Sequence, residues 1–234
     1  MARNLLSKYN EKRDFGITAE PKGKTGKSGK KLRFVIQLHY ATRTHYDFRL
    51  EWHGVMKSWA VTRGPSYDPA DKRLAVRTED HPMDYNNFEG VIPAKQYGAG
   101  PVMIWDEGIW IPDSDPEKME KKGHISFTID GTRMHGHWHL VRMHTKEKRE
   151  NWLLIKGDDE FVLSKTKNAA FLKKENISAI TGRTIEEIKA AGLGNTAKRK
   201  VKNKVQPTTK AGKKEVSKKE SSQPSINALL KKYS

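Results

Sequence analysis

The sequence predicts a mainly β protein: a compact antiparallel β-barrel with few short helices and a disordered basic C-terminal tail. Three observations predict it. Between Leu32 and about Leu163, short segments alternate apolar and polar residues with a period of two. Turn chemistry separates them closely, at WHG, RGPS, YGAG, DEG, DG and KGDDE. Helical character is confined to two stretches of that span. A barrel is preferred to an open sandwich because closure hides the edges that so many short strands would otherwise expose.

Residues 1–31 read as a basic arm, rich in Gly and Lys from Pro21 onward (PKGKTGKSGKK), leading into the first strand. A barrel domain follows over 32–182. Its expected strands are 33–40, 45–52, 55–62, 73–78, 101–106, 124–130, 136–143 and 152–157. Its helical stretches are Pro82–Phe88 and PEKMEKKG at 116–123. Residues 183–195 hold a further short helix, RTIEEIKAA, with Thr184 as the expected N-cap.

Residues 196–234 carry twelve Lys or Arg against two Glu, a net +10 out of +17 for the whole chain of 234 residues. This tail has no periodic apolar positions over most of its length, so it cannot bury enough surface to offset its ordering entropy. It is expected to be disordered and to tether nucleic acid by neutralising phosphates, with a purely solubilising tail as the simpler reading. The last residues, INALLKKYS with Gln223, make a degenerate Q-x-x-I-x-x-L-L peptide of the sliding-clamp docking type; a frayed terminal helix is the plainer alternative.

The chain contains no Cys, which excludes disulfides, zinc-thiolate sites and thiol nucleophiles. It has no apolar run long enough to span a bilayer, and its first residues lack the apolar core of a secretory signal. A soluble, cytoplasmic protein is the expectation.

The most informative segment is HYATRTHYDFRLEW, residues 39 to 52. As a strand it points His45, Asp47, Arg49 and Glu51 to one face, and Tyr46, Phe48, Leu50 and Trp52 to the other. Upstream, RFVIQLHY puts Phe34, Ile36 and Leu38 on one side and Val35, Gln37 and His39 on the other. If these strands are neighbours, His39 joins His45 and Asp47. Two imidazoles and a carboxylate are a ligand set for a divalent transition metal, with Arg49 beside it to bind an anion. The plainer reading is a solvated strand face, but such faces are built from Lys, Glu, Thr and Ser rather than from two His, an Asp and an Arg. HGHWH at 135–139 is a rival: His135, His137 and His139 share one strand face and would suit zinc. YGAG at 97–100 reads as a tight turn rather than a phosphate cradle, because no helix signal follows it.

HYATRTHYDFRLEWHGVMKSWAV, GPS, RLAVRTEDHPMDYNNFEGVIPAKQYGAGPVMIWDEG, GHWHLVRM and NWLLIKGDDEF together closely resemble the 3′-phosphoesterase module of bacterial and archaeal DNA ligase D. The resemblance runs from about Leu5 to Gly192, and since no polymerase or ligase domain follows, it is to the stand-alone form. It implies a manganese-dependent enzyme of DNA end joining that removes a 3′-terminal ribonucleotide or 3′-phosphate from a primer strand and leaves a 3′-OH. Carried over by motif, the Mn²⁺ ligands fall on His39, His45 and Asp47, and Arg49 holds the scissile phosphate. His81 of EDHPMDY stabilises the transition state, protonating the leaving oxygen when an anion beside it raises its charge, with Tyr85 nearby. Gln37 and Arg73 match further active-site positions. Arg13, Asp14 and Glu20 match residues used for ribonucleoside removal. The sequence departs at Arg63, where a Lys is expected. DNA 3′ ends are the implied substrate, and end-joining ligase and polymerase proteins the implied partners.

Two other functions fit parts of the pattern. His45, Asp47 and a distant His81 imitate the facial triad of non-haem Fe(II) oxygenases. A non-catalytic nucleic-acid-binding module with structural histidines is the other.

Overall fold

A computed structural model describes residues 5–144, 146–174, 176–195 and 197. Apart from Ala197, the expected tail and the clamp-type peptide lie outside the described residues. Nine strands occupy the first two thirds of the chain: β1 (Leu32–Tyr40), β2 (Thr44–Trp52), β3 (Val55–Val61), β4 (Arg73–Arg77), β5 (His81–Pro82), β6 (Gly90–Ile92), β7 (Gly100–Pro112), β8 (His124–Gly131) and β9 (His135–Arg142). β10 (Asn151–Lys156) and the two-residue β11 (Gly194–Asn195) follow. The helices are α1 (Ser7–Glu11), α2 (Pro116–Lys122), α3 (Lys165–Lys174) and α4 (Ile185–Ala190). None of the described helices is long and apolar enough to cross a membrane.

The strands pair antiparallel in the order β1-β2-β3-β4-β10-β9-β8-β7, and β7 pairs back onto β1 to close an eight-stranded barrel. At this size the interior is filled by side chains and holds no channel. The apolar faces read from the sequence supply the filling: Phe34, Ile36 and Leu38 from β1, and Phe48, Leu50 and Trp52 from β2. All six Trp lie in this cluster. Truncating such a buried ring to Ala costs about 3–5 kcal/mol, so these rings dominate the stability of the barrel.

Local chemistry explains the helix ends. Asp115 caps α2 by accepting from the Glu117 and Lys118 amides, Pro116 opens it, and Gly123 closes it at φ 77°. Thr184 and Glu187 form a reciprocal capping box on α4. The short helical stretch expected around Pro82–Phe88 is a 3-10 helix over Met83–Asn87, entered from the two-residue strand β5, which pairs with β3.

The DEG signal is not a turn: β7 runs through it. A Cβ on Gly108 would lie 2.1 Å from the Asp130 carbonyl, so glycine is required there by the close approach of β8. Buried Asp106 instead accepts the amides of Glu107, Thr132, Arg133 and Met134, organising the β8–β9 turn. α3 was not expected. Its sequence offers only Phe171 and Leu172 as large apolar residues, and Asn168 holds it to the barrel by accepting from the Tyr67 amide and donating to Ser66 Oγ.

Candidate active site and metal centre

The outer face of β1 and β2 carries polar residues, yet it is buried. Gln37, His39, Asp47, Arg49 and Glu51 are all covered. The cover is α1 with the segment from β5 to β6. Leu6 and Tyr9 of the arm pack with Tyr85, Phe88 and Ile92 into a second apolar cluster that includes Val55 and Val102 of the barrel. A cavity of about 600 Å³ remains open between this cover and the strands, lined by His39, His45, Asp47, Arg49, Glu79, His81 and Tyr85 among others.

Strand register assembles a candidate metal centre. His39 on β1 lies directly opposite His45 on β2, and Asp47 follows two residues later on the same face. Ligand atoms of the three lie within 4.8 Å of one another, and they are the sole such group among the described residues. Backbone carbonyls orient both rings. His39 Nε2 donates to the Gly98 carbonyl at 2.8 Å, and His45 Nδ1 to the Arg43 carbonyl at 2.8 Å. Each bond fixes a tautomer, leaving the other ring nitrogen as a lone pair. Those nitrogens, His39 Nδ1 and His45 Nε2, face Asp47 Oδ2 and Oδ1 at 3.5 and 3.6 Å, too long for hydrogen bonds. Lone pairs facing a carboxylate across such a gap repel unless a cation lies between them. The donor set, two imidazoles and one carboxylate, fits a divalent transition metal.

Arg49, only 2 % exposed, is held on three sides. Its Nε donates to Gln37 Oε1 at 2.8 Å and its Nη2 to Asp47 Oδ2 at 3.0 Å, while Nη1 lies 2.9 Å from His81 Nδ1. Gln37 spends its amide on the carbonyls of Tyr85 and Phe88, tying the guanidinium to the cover. The Tyr85 ring lies 4.9 Å below Arg49, and its hydroxyl donates to Glu20. Glu20 also accepts from Arg13 Nε at 2.9 Å, and Arg13 reaches Glu79 and His81 Nε2. The expected residues Gln37, Arg49, His81, Tyr85, Arg13 and Glu20 therefore form one connected network around the candidate ligands His39, His45 and Asp47.

Burial alone would raise the Asp47 carboxyl, but the Arg49 guanidinium bonded to it outweighs this and holds the group below its usual range. Burial, then Arg49 and Arg13, push His81 well below its ordinary value. The fold thus favours a neutral His81, with both ring nitrogens facing guanidinium groups. Protonation of His81 requires an anion to enter between them.

Two expected residues do not join. Arg73 pairs with Asp71 at 2.7 Å and does not line the cavity. Asp14 is exposed and accepts from the Gly16 amide, shaping its own turn. Arg63 is likewise exposed and away from the cavity lining. The facial triad of His45, Asp47 and His81 is not assembled, because the polar contacts of His81 are Arg49, Arg13, Ser58 and the Glu79 carbonyl. Nor does HGHWH make one ligand set: His135 pairs with Asp130, His137 with Asp113, and His139 with His124.

YGAG is a tight turn, and its Gly98 carbonyl is what orients His39. Sequence reasoning missed that role, as it missed Glu79, which accepts from both Lys12 and Arg13. Glu79 lies between β4 and β5, outside any strand, so no periodicity in the sequence signals it.

Residues 37–142 match the family described as DNA Ligase D 3′-phosphoesterase domain. The chain is 51 % identical over 156 residues to the multifunctional non-homologous end joining protein LigD of Pseudomonas aeruginosa, covering 66 % of this chain and 19 % of that protein. The corresponding protein of Mycolicibacterium smegmatis is 39 % identical over 162 residues, 66 % of this chain and 21 % of that one. The multifunctional non-homologous end joining DNA repair protein LigD of Mycobacterium tuberculosis is 42 % identical over 144 residues, 58 % and 18 % respectively. The chain therefore spans about a fifth of the length of these relatives.

Proposed function

With residues 37–142 a DNA ligase D 3′-phosphoesterase domain, we propose that this protein is a Mn²⁺-dependent hydrolase of DNA end joining. It removes a 3′-terminal ribonucleotide or a 3′-phosphate and leaves a 3′-OH. The observation that supports this most is the pair of imidazoles whose carbonyl-anchored tautomers aim lone pairs at Asp47, with Arg49 bonded to that same carboxylate.

His39, His45 and Asp47 would hold the metal, which when bound supplies Lewis-acid neutralisation of phosphate charge. Arg49 grips the scissile phosphate. Its orientation is fixed in advance by Gln37 and Asp47, so little reorganisation accompanies binding. As a water adds to phosphorus and the ester P–O bond breaks, His81 protonates the leaving oxygen and the proton of the water passes to solvent. The arriving phosphate provides the negative charge that its two guanidinium neighbours otherwise deny it, so the proton is taken up with substrate rather than stored in the free enzyme. Tyr85 keeps its hydroxyl on Glu20 and supports Arg49 with its ring. Arg13 and Glu20 form the wall of the arm that meets the terminal nucleoside. Asp14 serves that step only by shaping the arm.

The substrate is the 3′ end of DNA, and end-joining ligase and polymerase activities are the partners that use the 3′-OH. A 5′-labelled duplex ending in one ribonucleotide or in a 3′-phosphate, incubated with and without Mn²⁺, tests the reading. Metal-dependent conversion of both ends is expected; no conversion of either in Mn²⁺ overturns it.

A further inference from the structure

The cavity contains cations of two kinds. Arg13 and Arg49 are buried and committed, the first to Glu20 and Glu79 and the second to Asp47. Arg43 and Arg149 also line the cavity, but both are exposed, and among the described residues neither guanidinium has a hydrogen bond or ion pair. Arg43 lies in the turn between β1 and β2. Arg149 lies in the connection between β9 and β10 beside Lys146 and Lys148, and the loop's carboxylates, Glu147 and Glu150, are bonded by Asn151 and Trp152. Surface guanidiniums usually have carboxylates within reach. Here the nearby cavity carboxylates, Asp47 and Glu79, are already engaged by other cations.

We propose that Arg43 and Arg149 form a phosphate track at the mouth of the cavity, gripping the backbone of the strand upstream of its 3′ end. This rests on the function proposed above and names how that substrate enters. The scissile group lies at the floor, where Arg49 and His81 meet, so the 5′-ward strand must leave through the mouth, between these two loops. The Arg43 carbonyl also fixes the tautomer of His45, so one turn presents both the metal ligand and the strand grip. Two exposed arginines carry no base-edge reading in this position; the contact is with phosphates and is sequence-independent.

The test is binding of a fluorescently labelled DNA strand with a 3′-phosphate, read by anisotropy in EDTA, so that it does not depend on turnover. A second strand carries neutral methylphosphonates at its last two internucleotide linkages. For the wild-type protein, Kd should rise about tenfold on the neutral strand. R43Q/R149Q should show the same rise on the normal strand and no further rise on the neutral one. Its slope of log K against log salt should flatten by roughly 0.7 for each lost contact to single-stranded DNA. R43K/R149K should restore most of the slope. Losses that multiply between protein and strand, or a double variant that binds the normal strand as tightly as wild type does, overturn the track. Absence of wild-type turnover on the same strand in Mn²⁺ would instead overturn the hydrolase reading.

Discussion

Two histidine-rich patches lie on this one barrel, and they use their nitrogens in opposite ways. On β1 and β2, His39 and His45 each give one nitrogen to a backbone carbonyl and turn the other toward Asp47 at 3.5 and 3.6 Å. On β8 and β9, His124 Nε2 bonds His139 Nδ1 at 3.1 Å, and His137 Nε2 bonds Asp113 at 2.8 Å, with the Ser126 hydroxyl bonded to both His137 and Asp113. The second patch satisfies itself by direct hydrogen bonds. The first leaves a gap bounded by two lone pairs and a carboxylate. What separates a candidate ligand set from a histidine cluster is therefore the partner of the nitrogen facing away from the centre.

The largest expected effect breaks the first patch. H39A, H45A or D47A should reduce 3′-end hydrolysis to background and abolish the stabilisation that Mn²⁺ gives. For wild type that stabilisation is about 2.7 kcal/mol at a metal concentration of 100 times Kd. H137A or H139A should retain the Mn²⁺-dependent rise in melting temperature, measured calorimetrically. An H139A protein that lost it would erase the distinction drawn between the patches.

Next come the groups that act on phosphate. R49A and H81A should lower turnover by about 10²–10³-fold, the range for removing a preorganised charge-stabilising donor, while metal content by elemental analysis stays at wild-type level. Loss of metal in H81A would put that residue among the ligands instead.

A smaller effect should follow from disturbing orientation alone. Gly98 has φ 75°, and a Cβ there would lie 3.4 Å from His39 Cε1. G98A should therefore weaken metal affinity, by about 10–100-fold, through the ring it orients. Titration of Mn²⁺ against activity reads this; an unchanged half-saturation point would show that the carbonyl does not set the ring.

The smallest effect is a pH dependence of stability in the second patch. Burial, then His137 and His124, push His139 down to about 4 from an ordinary value near 6.5. The unfolded chain then binds a proton that the folded form refuses. Stability is fully present above about pH 6.5 and declines as pH falls toward 4. H139Q should flatten the fall in melting temperature across that window; an equally steep fall in the variant would assign it to other groups.

Much of this was legible in the chain itself. Period-two alternation identified the eight barrel strands, with β7 found only in its first half because DEG resembles a turn. The helix caps at Asp115, Thr184 and Gly123 follow from local hydrogen bonding and needed no tertiary context. The alternation also gave the His39, His45 and Asp47 set, provided that β1 and β2 were neighbours. Arg13, Glu20, Gln37, His81 and Tyr85 came from resemblance, since nothing in their spacing brings the arm, β1 and β5 together.

The sequence by itself determined which residues face the barrel interior, because side-chain direction along a strand is a strictly local property. It could not determine that the opposite face is buried too. That depends on the arm and the β5–β6 segment crossing the outside of the sheet, contacts separated by dozens of residues. The same long-range packing buried His81 between Arg49 and Arg13, which pushes the imidazole well below its ordinary value. It sent Asp14 and Arg73 to local partners, and it chose which histidine patch would keep its lone pairs free. Charge state and ligand geometry belong to what lies across space from a residue, and only the folded chain decides that.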